Sequence, residues 1–93
     1  MLHIIKTVSA LEDAMPLCSC SAQDDILLIE DAVYAANSQH KAFSHLKNRS
    51  VFVLESDINA RGIANRISPS LTIVNYSGFV ELTVKQDKSL TWD

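Results

Sequence analysis

The stretch Ile26-Leu27-Leu28-Ile29 is the first of three short apolar runs that decide the fold. The other two are Val51-Phe52-Val53-Leu54 and Leu71-Thr72-Ile73-Val74. Such runs are too short for helices and too continuous for strands with one solvated face, so they are typical of parallel strands buried on both faces. Each run leads into a segment with helical spacing, which predicts a repeated βα unit.

The flanking segments complete one small α/β domain. Leu2 to Lys6 predicts a first strand, and Leu90-Thr91-Trp92 predicts a short terminal strand. Ser9 and Glu12 have the spacing of a capping box, which predicts the start of the first helix. The chain has 93 residues, the length of a single domain covering residues 1–93. We therefore predict a three-layer α/β sandwich with a mostly parallel sheet of four to five strands and helices on both faces.

Helical segments are predicted between the later strands. Asp31 is expected to cap a short helix at residues 32–36, and a further turn is expected at residues 42–46. Ser56 or Asp57 is expected to cap a longer helix, whose apolar stripe consists of Ala60, Ile63, Ala64 and Ile67. The last helix has a stripe at helical spacing that consists of Tyr76, Phe79, Val80, Thr83 and Val84, although Val80, Leu82 and Val84 also alternate as in a strand.

Two residues are expected to shape these helices. Pro16 falls inside the apolar stripe of the first helix, where it removes a backbone donor and predicts a kinked or split helix. Gly62 is expected to let a helix approach the sheet closely, because it has no side chain.

Composition and charge indicate which classes of function the chain is suited to. Hydrophobic residues make up 47% of the chain and charged residues 20%, below the roughly 25% typical of globular domains. This shortfall indicates a surface that contacts another protein. Eight Lys and Arg stand against eleven Asp and Glu, and the basic residues do not cluster. Direct binding of nucleic acid, which requires a cationic surface, therefore has little support.

The first residues of the chain do not have the pattern of a leader. Lys6 interrupts the apolar segment Leu2 to Ile5, so we expect no signal peptide and no membrane span. Two cysteines without a leader indicate reduced thiols and a cytoplasmic protein.

Motifs for nucleotide or serine chemistry are missing. The only glycines are Gly62 and Gly78, so the sequence has neither a phosphate-binding glycine-rich loop nor a dinucleotide fingerprint. It also lacks the Gly-x-Ser-x-Gly motif of serine hydrolases. We expect no cofactor.

Polar side chains follow the predicted strands at the edge where ligands of open α/β sheets bind. They are Glu30, Asp31, Glu55, Asp57 and Asn75. The carboxylates among them are either an acid/base pair or helix caps, and caps are the more frequent use of such residues.

Cys18 is the candidate catalytic residue, as a possible sulfur acceptor. On a helix Cys18 and Cys20 lie about 200° apart, so they do not readily form a disulfide with each other. Cys18 is either a small core residue of the first helix or a reactive thiolate, and the second role needs exposure and nearby positive charge. Cys20 lies nearer the helix end and is expected to be exposed and without a role.

The histidines do not have the spacing of a zinc site. His40 and His45 are five residues apart and do not share one helix face. His3 is expected to be an inward-facing or interface residue of the first strand. We therefore predict no metal site.

Four motifs, in order along the chain, carry a resemblance to a known family. They are Met1-Leu2-His3, residues 30–36 (Glu-Asp-Ala-Val-Tyr-Ala-Ala), Ala60-Arg61-Gly62 preceded by Asp57, and residues 76–83 (Tyr-Ser-Gly-Phe-Val-Glu-Leu-Thr). In these motifs the chain resembles the TusB/DsrH family nearly end to end. The resemblance implies a small α/β sandwich related to DsrE and DsrF, in agreement with the βα repeat.

The resemblance also implies a subunit of a cytoplasmic sulfur-relay complex. In the Tus branch, a subunit of this kind joins TusC and TusD in a heterohexamer. That complex takes persulfide sulfur from TusA and passes it through TusE to the enzyme that thiolates the wobble uridine of certain tRNAs. In the Dsr branch, the related complex serves sulfur oxidation. The ending at Trp92 is similar to the Tus branch.

The resemblance further implies a structural role. The main persulfide-carrying cysteine of the family belongs to the TusD/DsrE-type subunit, so this chain is expected to be a partner of TusC-like and TusD-like subunits and not to be catalytic alone. DsrH-type members carry a cysteine near the position of Cys18, so the alternative is a sulfurtransferase that accepts persulfide sulfur there. A small sheet with this apolar content is also expected to self-associate when the chain is isolated.

Overall fold

The computed structural model describes residues 1–14, 24–46, 49–86 and 88–93 and contains a five-stranded sheet in which every strand pair is parallel. The strands lie in the spatial order β4-β3-β2-β1-β5. Their bounds are Leu2–Ile5 (β1), Asp25–Leu28 (β2), Ser50–Leu54 (β3), Thr72–Val74 (β4) and Ser89–Trp92 (β5). The predicted α/β fold with a mostly parallel sheet is confirmed.

Strands β1 and β2 lie at the centre of the sheet, and all their residues are buried. Because side chains alternate along a strand, neighbouring residues pack into different cores. Leu27 pairs with Ile4 and Phe52 in one layer, whereas Leu28 packs in the other. Both faces of this strand pair therefore require a cover, which explains the continuous apolar run at residues 26–29.

The two faces of the sheet are covered unequally. The first face, here the α1 face, packs against helix α1 (Val8–Ala14), two 3₁₀ helices (Glu30–Ala36 and Lys41–Leu46) and helix α2 (Glu55–Ala60). The other face, the α3 face, packs against helix α3 (Tyr76–Lys85). In the described part of the chain α3 is the one helix in that smaller core. The sandwich therefore has three layers, and one of its outer layers is thin.

The starts of two helices differ from the sequence prediction. Helix α1 begins at Val8, and the Thr7 hydroxyl oxygen accepts the Ala10 N–H at 3.0 Å. The predicted capping box of Ser9 and Glu12 is therefore wrong, because Ser9 already lies inside the first turn. The predicted cap at Asp31 is also wrong: the 3₁₀ helix there begins at Glu30, without a side-chain cap.

Helix α2 is shorter than predicted. It ends at Ala60, and its N-cap position is Leu54 rather than Ser56 or Asp57. Gly62 stops the helix because its φ is +65°, a left-handed value that favours glycine. The remainder of the predicted stripe continues as a single 3₁₀ turn, Ala64–Arg66.

The two glycines have opposite roles, and the prediction for Gly62 is wrong. A Cβ added at Gly62 would meet nothing within 4 Å. Glycine is therefore needed at this position for its positive φ, and not to let two elements approach each other closely. A Cβ added at Gly78 would lie 2.9 Å from the Cβ of Val74. The close contact between helix and sheet is therefore made at Gly78.

Helix α3 is confirmed, although its buried side differs from the predicted stripe. The Asn75 side-chain oxygen accepts the Gly78 N–H at 2.9 Å and caps the helix. Leu82 is buried and Phe79 packs against the same core, whereas Val80 and Val84 face outward. Val80 and Val84 therefore belong to an exposed face and not to the core.

The predicted kink at Pro16 lies outside the described residues. Within the described ranges, no helix is long and apolar enough to cross a membrane.

Candidate functional site at the carboxyl edge of the sheet

The carboxyl ends of β2 and β3 are joined by one short hydrogen bond. The Asp57 Oδ2 atom, in α2, accepts the backbone N–H of Glu30 at 2.7 Å. Glu30 is the second residue after the end of β2. Its φ is +49°, a left-handed value that is rare for a residue with a side chain. Asp57 therefore holds the turn by which the chain leaves β2.

Arg61 ties the same two segments together from the other side. Its Nε and Nη2 atoms donate to Asp31 Oδ1 at 3.1 and 2.9 Å. Its Nη1 atom donates to the backbone carbonyl of Asp57 at 3.4 Å. The motif at residues 30–36 and the motif around Ala60-Arg61-Gly62 are thus in direct contact, although about 30 residues separate them.

Lys6 adds the end of β1 to this group. Its Nζ atom lies 3.5 Å from Glu30 Oε2 and 3.8 Å from Asp93 Oδ2. Its backbone N–H donates to the carbonyl of Trp92 in β5. We call Lys6, Glu30, Asp31, Asp57 and Arg61 the carboxyl-edge cluster.

The carboxyl-edge cluster is a brace between loops. Glu30, Asp31 and Asp57 meet here as predicted, but each carboxylate faces a cation or a backbone N–H. Glu55 is exposed, and Asn75 is occupied as the cap of α3, so the structure does not bring these two residues into the cluster. Such pairing fixes the two loops relative to each other and gives the edge a defined shape.

The left-handed backbone at Glu30 predicts a measurable difference in stability between two substitutions at this position. We expect Glu30→Gly to raise the free energy of unfolding by about 1 kcal/mol, because glycine adopts a positive φ without steric cost. Glu30→Ala is the matched control: it removes the same carboxylate but keeps the Cβ, and should not be stabilising. Urea denaturation followed by far-UV circular dichroism measures both. Equal stability of the two variants would contradict the proposed strain.

A second polar group, which the sequence analysis missed, lies at the amino edge of the sheet. Asp25 is the first residue of β2 and its side chain is 5% exposed. Its Oδ2 atom accepts from Gln86 Nε2 at 2.8 Å and from Lys85 Nζ at 3.3 Å. The available signal was an acidic residue at the start of a fully buried strand, which requires partners elsewhere in the chain.

The surroundings of Asp25 set its ionisation. Burial by itself raises the pKa of Asp25, but hydrogen bonds from Gln86, Ser50 and Lys85 together outweigh it and leave the pKa below the ordinary value of 3.8. A carboxylate with a lowered pKa in the folded state stabilises the fold above the unfolded-state pKa. That contribution is lost as the pH falls through the folded-state pKa.

We therefore expect acid to weaken the fold through Asp25. The free energy of unfolding of the wild-type protein should hold between pH 7 and 5 and fall below about pH 4. Asp25→Asn should be about 1–2 kcal/mol less stable at pH 7, because it loses charge-assisted hydrogen bonds, and should show a smaller acid-dependent loss. Urea titrations at a series of pH values test this. An Asp25→Asn curve parallel to the wild-type curve would count against the assignment.

His3 lies beside this group and is buried, as predicted. Its Nε2 atom lies 3.1 Å from Asp24 Oδ2, and its Nδ1 atom accepts from Trp92 Nε1 at 3.2 Å. Hydrogen bonds from the amino group of Met1 and from His3 lower the pKa of Asp24.

The other two histidines are not brought together with it. His40 Nδ1 accepts the Ala42 N–H at 3.0 Å and so stabilises its own loop. Among the residues that the structure describes, no group of three or more His, Cys, Asp or Glu side chains could hold a metal ion.

A shallow groove of about 380 Å³ runs along the α3 face. Its lining residues are Phe52, Val74, Gly78, Glu81, Leu82 and Lys85. The groove exists because α3 covers only part of this face. Further out, Tyr76 and Val84 are 76% and 78% exposed, so an apolar strip continues over the outer side of the helix.

The candidate sulfur acceptor, Cys18, and its neighbour Cys20 lie outside the described residues. The structure therefore leaves the role of Cys18 as a prediction.

By its fold and site the chain is a small α/β protein with a parallel five-stranded sheet. Ion pairs and a hydrogen bond hold the loops at the carboxyl edge of that sheet. Residues 8–89 match the family model described as DsrH like protein, and the chain belongs to this family. It is 40% identical over 74 residues to Protein TusB of Yersinia pestis (strain Pestoides F), a match that covers 77% of this chain and 78% of that protein. Protein TusB of Yersinia pseudotuberculosis serotype O:1b matches equally well.

Two solved structures support the fold. The crystal structure of the YchN protein from E. coli superposes with a TM-score of 0.75 at 19% identity, covering 98% of this chain and 97% of that chain. The solution structure of protein Tm0979 from Thermotoga maritima gives a TM-score of 0.66 at 22% identity, covering 95% and 97%. At these identities the likeness concerns the fold alone.

Proposed function

We propose that this chain is the TusB-like structural subunit of a sulfur-relay complex. The observation that carries the proposal is the 40% identity to TusB proteins over three quarters of the chain. In this role the chain joins TusC-like and TusD-like subunits in a heterohexamer in the cytoplasm. The complex takes persulfide sulfur from TusA and passes it towards TusE for 2-thiolation of the tRNA wobble uridine.

The carboxyl-edge cluster supports a structural role for this chain. Lys6 and Arg61 are engaged by carboxylates of the same chain, and Asp57 is engaged by a backbone N–H. These contacts hold the loops after β1, β2 and β3 in place. A rigid edge of this kind suits a subunit that positions a neighbouring sulfur carrier.

The thin α3 face supports assembly with other proteins. Tyr76, Val80 and Val84 lie one helical turn apart and expose an apolar strip beside the groove. A contiguous exposed apolar surface on a small protein is typical of a contact with another protein.

Co-expression tests the proposed assembly. The chain alone should self-associate or be poorly soluble, and co-expression with TusC-like and TusD-like subunits should yield one defined complex on a sizing column. Val84→Lys should weaken that complex, because it places a charge on the apolar strip. Ser9→Lys, at an exposed position on α1 on the opposite side of the sheet, is the control. A soluble monomer that ignores both subunits would refute the assembly.

The family description also supports a second candidate. The matching model carries the DsrH name, so a DsrH-type subunit of a sulfur-oxidation complex is the alternative. Genes for dissimilatory sulfite reductase beside the gene for this chain would favour that alternative.

A further inference from the structure

His3 has only one protonation state that satisfies both of its side-chain hydrogen bonds in the described part of the chain, those with Trp92 and Asp24. The Trp92 indole N–H is a donor and cannot accept, so His3 Nδ1 must carry a lone pair. The proton of the neutral ring therefore sits on Nε2 and points to Asp24 Oδ2. His3 thus links strand β5, through Trp92, to the start of β2.

A second proton would break one of these contacts. Protonation at Nδ1 turns an acceptor into a donor that faces another N–H, so the hydrogen bond to Trp92 is lost. The rings lie 6.3 Å apart, tilted by 35°, and the indole points its N–H edge at the imidazole. This edge carries positive partial charge, so no cation–π attraction replaces the lost bond.

Several charged groups surround strand β1 in the described part of the chain. Elements packed against β1 carry these charged groups: Asp24 and Asp25 at β2, Glu12 and Asp13 on α1, Glu81 and Lys85 on α3, and Lys88 and Asp93 beside β5. Among them Asp24 contacts His3, and the amino group of Met1 contacts Asp24.

Most of the other charges are engaged elsewhere or exposed. Asp25 points to the α3 face, where it pairs with Lys85. Asp93 pairs with Lys6 at the carboxyl edge. Glu12, Asp13, Glu81 and Lys88 are exposed.

We propose that His3 is a proton-operated latch for strand β5: the neutral ring holds Trp92, and a proton from solvent on Nδ1 releases it. Strand β5 lies at the edge of the sheet and is held there by β1 alone among the described strands. Loss of the latch loosens the end of β5 while the central strands stay paired. Histidine is the side chain suited to such a switch between pH 5 and 8.

Trp92 is the only tryptophan of the chain, so its fluorescence reports the latch directly. Between pH 8 and 5 the emission of the full chain should shift in a single-proton transition while far-UV circular dichroism stays constant. Amide exchange in β5 should become about fivefold to tenfold faster relative to β2 and β3. Constant emission across this range would overturn the proposal.

Two variants separate the latch from general acid effects. His3→Gln keeps one acceptor for Trp92 and one donor for Asp24 but does not titrate, so its emission should not shift. His40→Gln, at a histidine outside the latch, should behave like the wild type. A transition that survives in His3→Gln would contradict the proposal.

If His3→Gln does not fold, a measurement on the wild-type protein tests the proposed tautomer of His3. Nitrogen NMR of the His3 ring at pH 8 should show a proton on Nε2 and none on Nδ1. The opposite tautomer would exclude the latch.

Discussion

Strains that lack the gene for this chain should recover nearly full thiolation of the tRNA wobble uridine when they are complemented with the Cys18→Ser variant. Strains with an empty vector should lose most of it. Serine keeps the shape of cysteine, but its hydroxyl is a poor acceptor of persulfide sulfur. A positioning subunit tolerates this exchange, whereas a sulfur carrier does not. The measurement is the fraction of thiolated tRNA at matched protein levels.

Cys20→Ser is the matched control for this experiment. Copurification of the TusC-like and TusD-like subunits shows whether each variant still assembles. If Cys18 is buried, its replacement costs some stability by placing a hydroxyl in an apolar site, which thermal unfolding detects. Lost thiolation in Cys18→Ser with the complex intact would falsify the structural role and make Cys18 a relay residue.

Gly78→Ala should lower the free energy of unfolding by about 1–2 kcal/mol. The new Cβ would stand 2.9 Å from the Val74 Cβ and 3.3 Å from its Cγ1, so α3 has to move away from β4. Overpacking of this kind costs about 1–3 kcal/mol, and the better helix propensity of alanine offsets part of it. Urea denaturation measures the change.

Gly62 provides the comparison for Gly78. A Cβ there meets no neighbour, but φ is +65°, so Gly62→Ala should cost about 1 kcal/mol through backbone strain. Gly62→Asn should recover part of that cost, because asparagine tolerates left-handed angles. The same exchange at Gly78 should give no recovery. Recovery at both positions would contradict the steric explanation.

Much of the sheet was predictable because it depends on local pattern. The runs at residues 26–29, 51–54 and 71–74 each overlap an observed strand. The two covered faces that such runs predict are found at β2, whereas the edge strand β4 is largely exposed. Helix ends were less predictable. Thr7 rather than Ser9 caps α1, and Gly62 ends α2 early, because both depend on where the chain leaves the sheet.

The candidate site was predictable only in its location. The rule that strand ends share an edge brought Glu30, Asp31 and Asp57 together correctly. It did not identify Lys6 and Arg61 as their partners, because side-chain pairing across about 30 residues leaves no periodic signal. The hydrogen bonds of Asp25 and His3 were not predicted for the same reason, because their partners Gln86 and Trp92 lie at the other end of the chain.

The pairing of β1 with β5 has a consequence for folding kinetics. Leu2 pairs with Ser89, so this contact closes a loop of nearly the whole chain. Contacts of such long range form slowly, because the chain entropy is lost before the contact is made. During synthesis β1 to β4 emerge from the ribosome first, and the edge of β1 stays unpaired until β5 has been made. Refolding should therefore end with the docking of β5, and until then the nascent chain presents the open edge of a central strand to its surroundings.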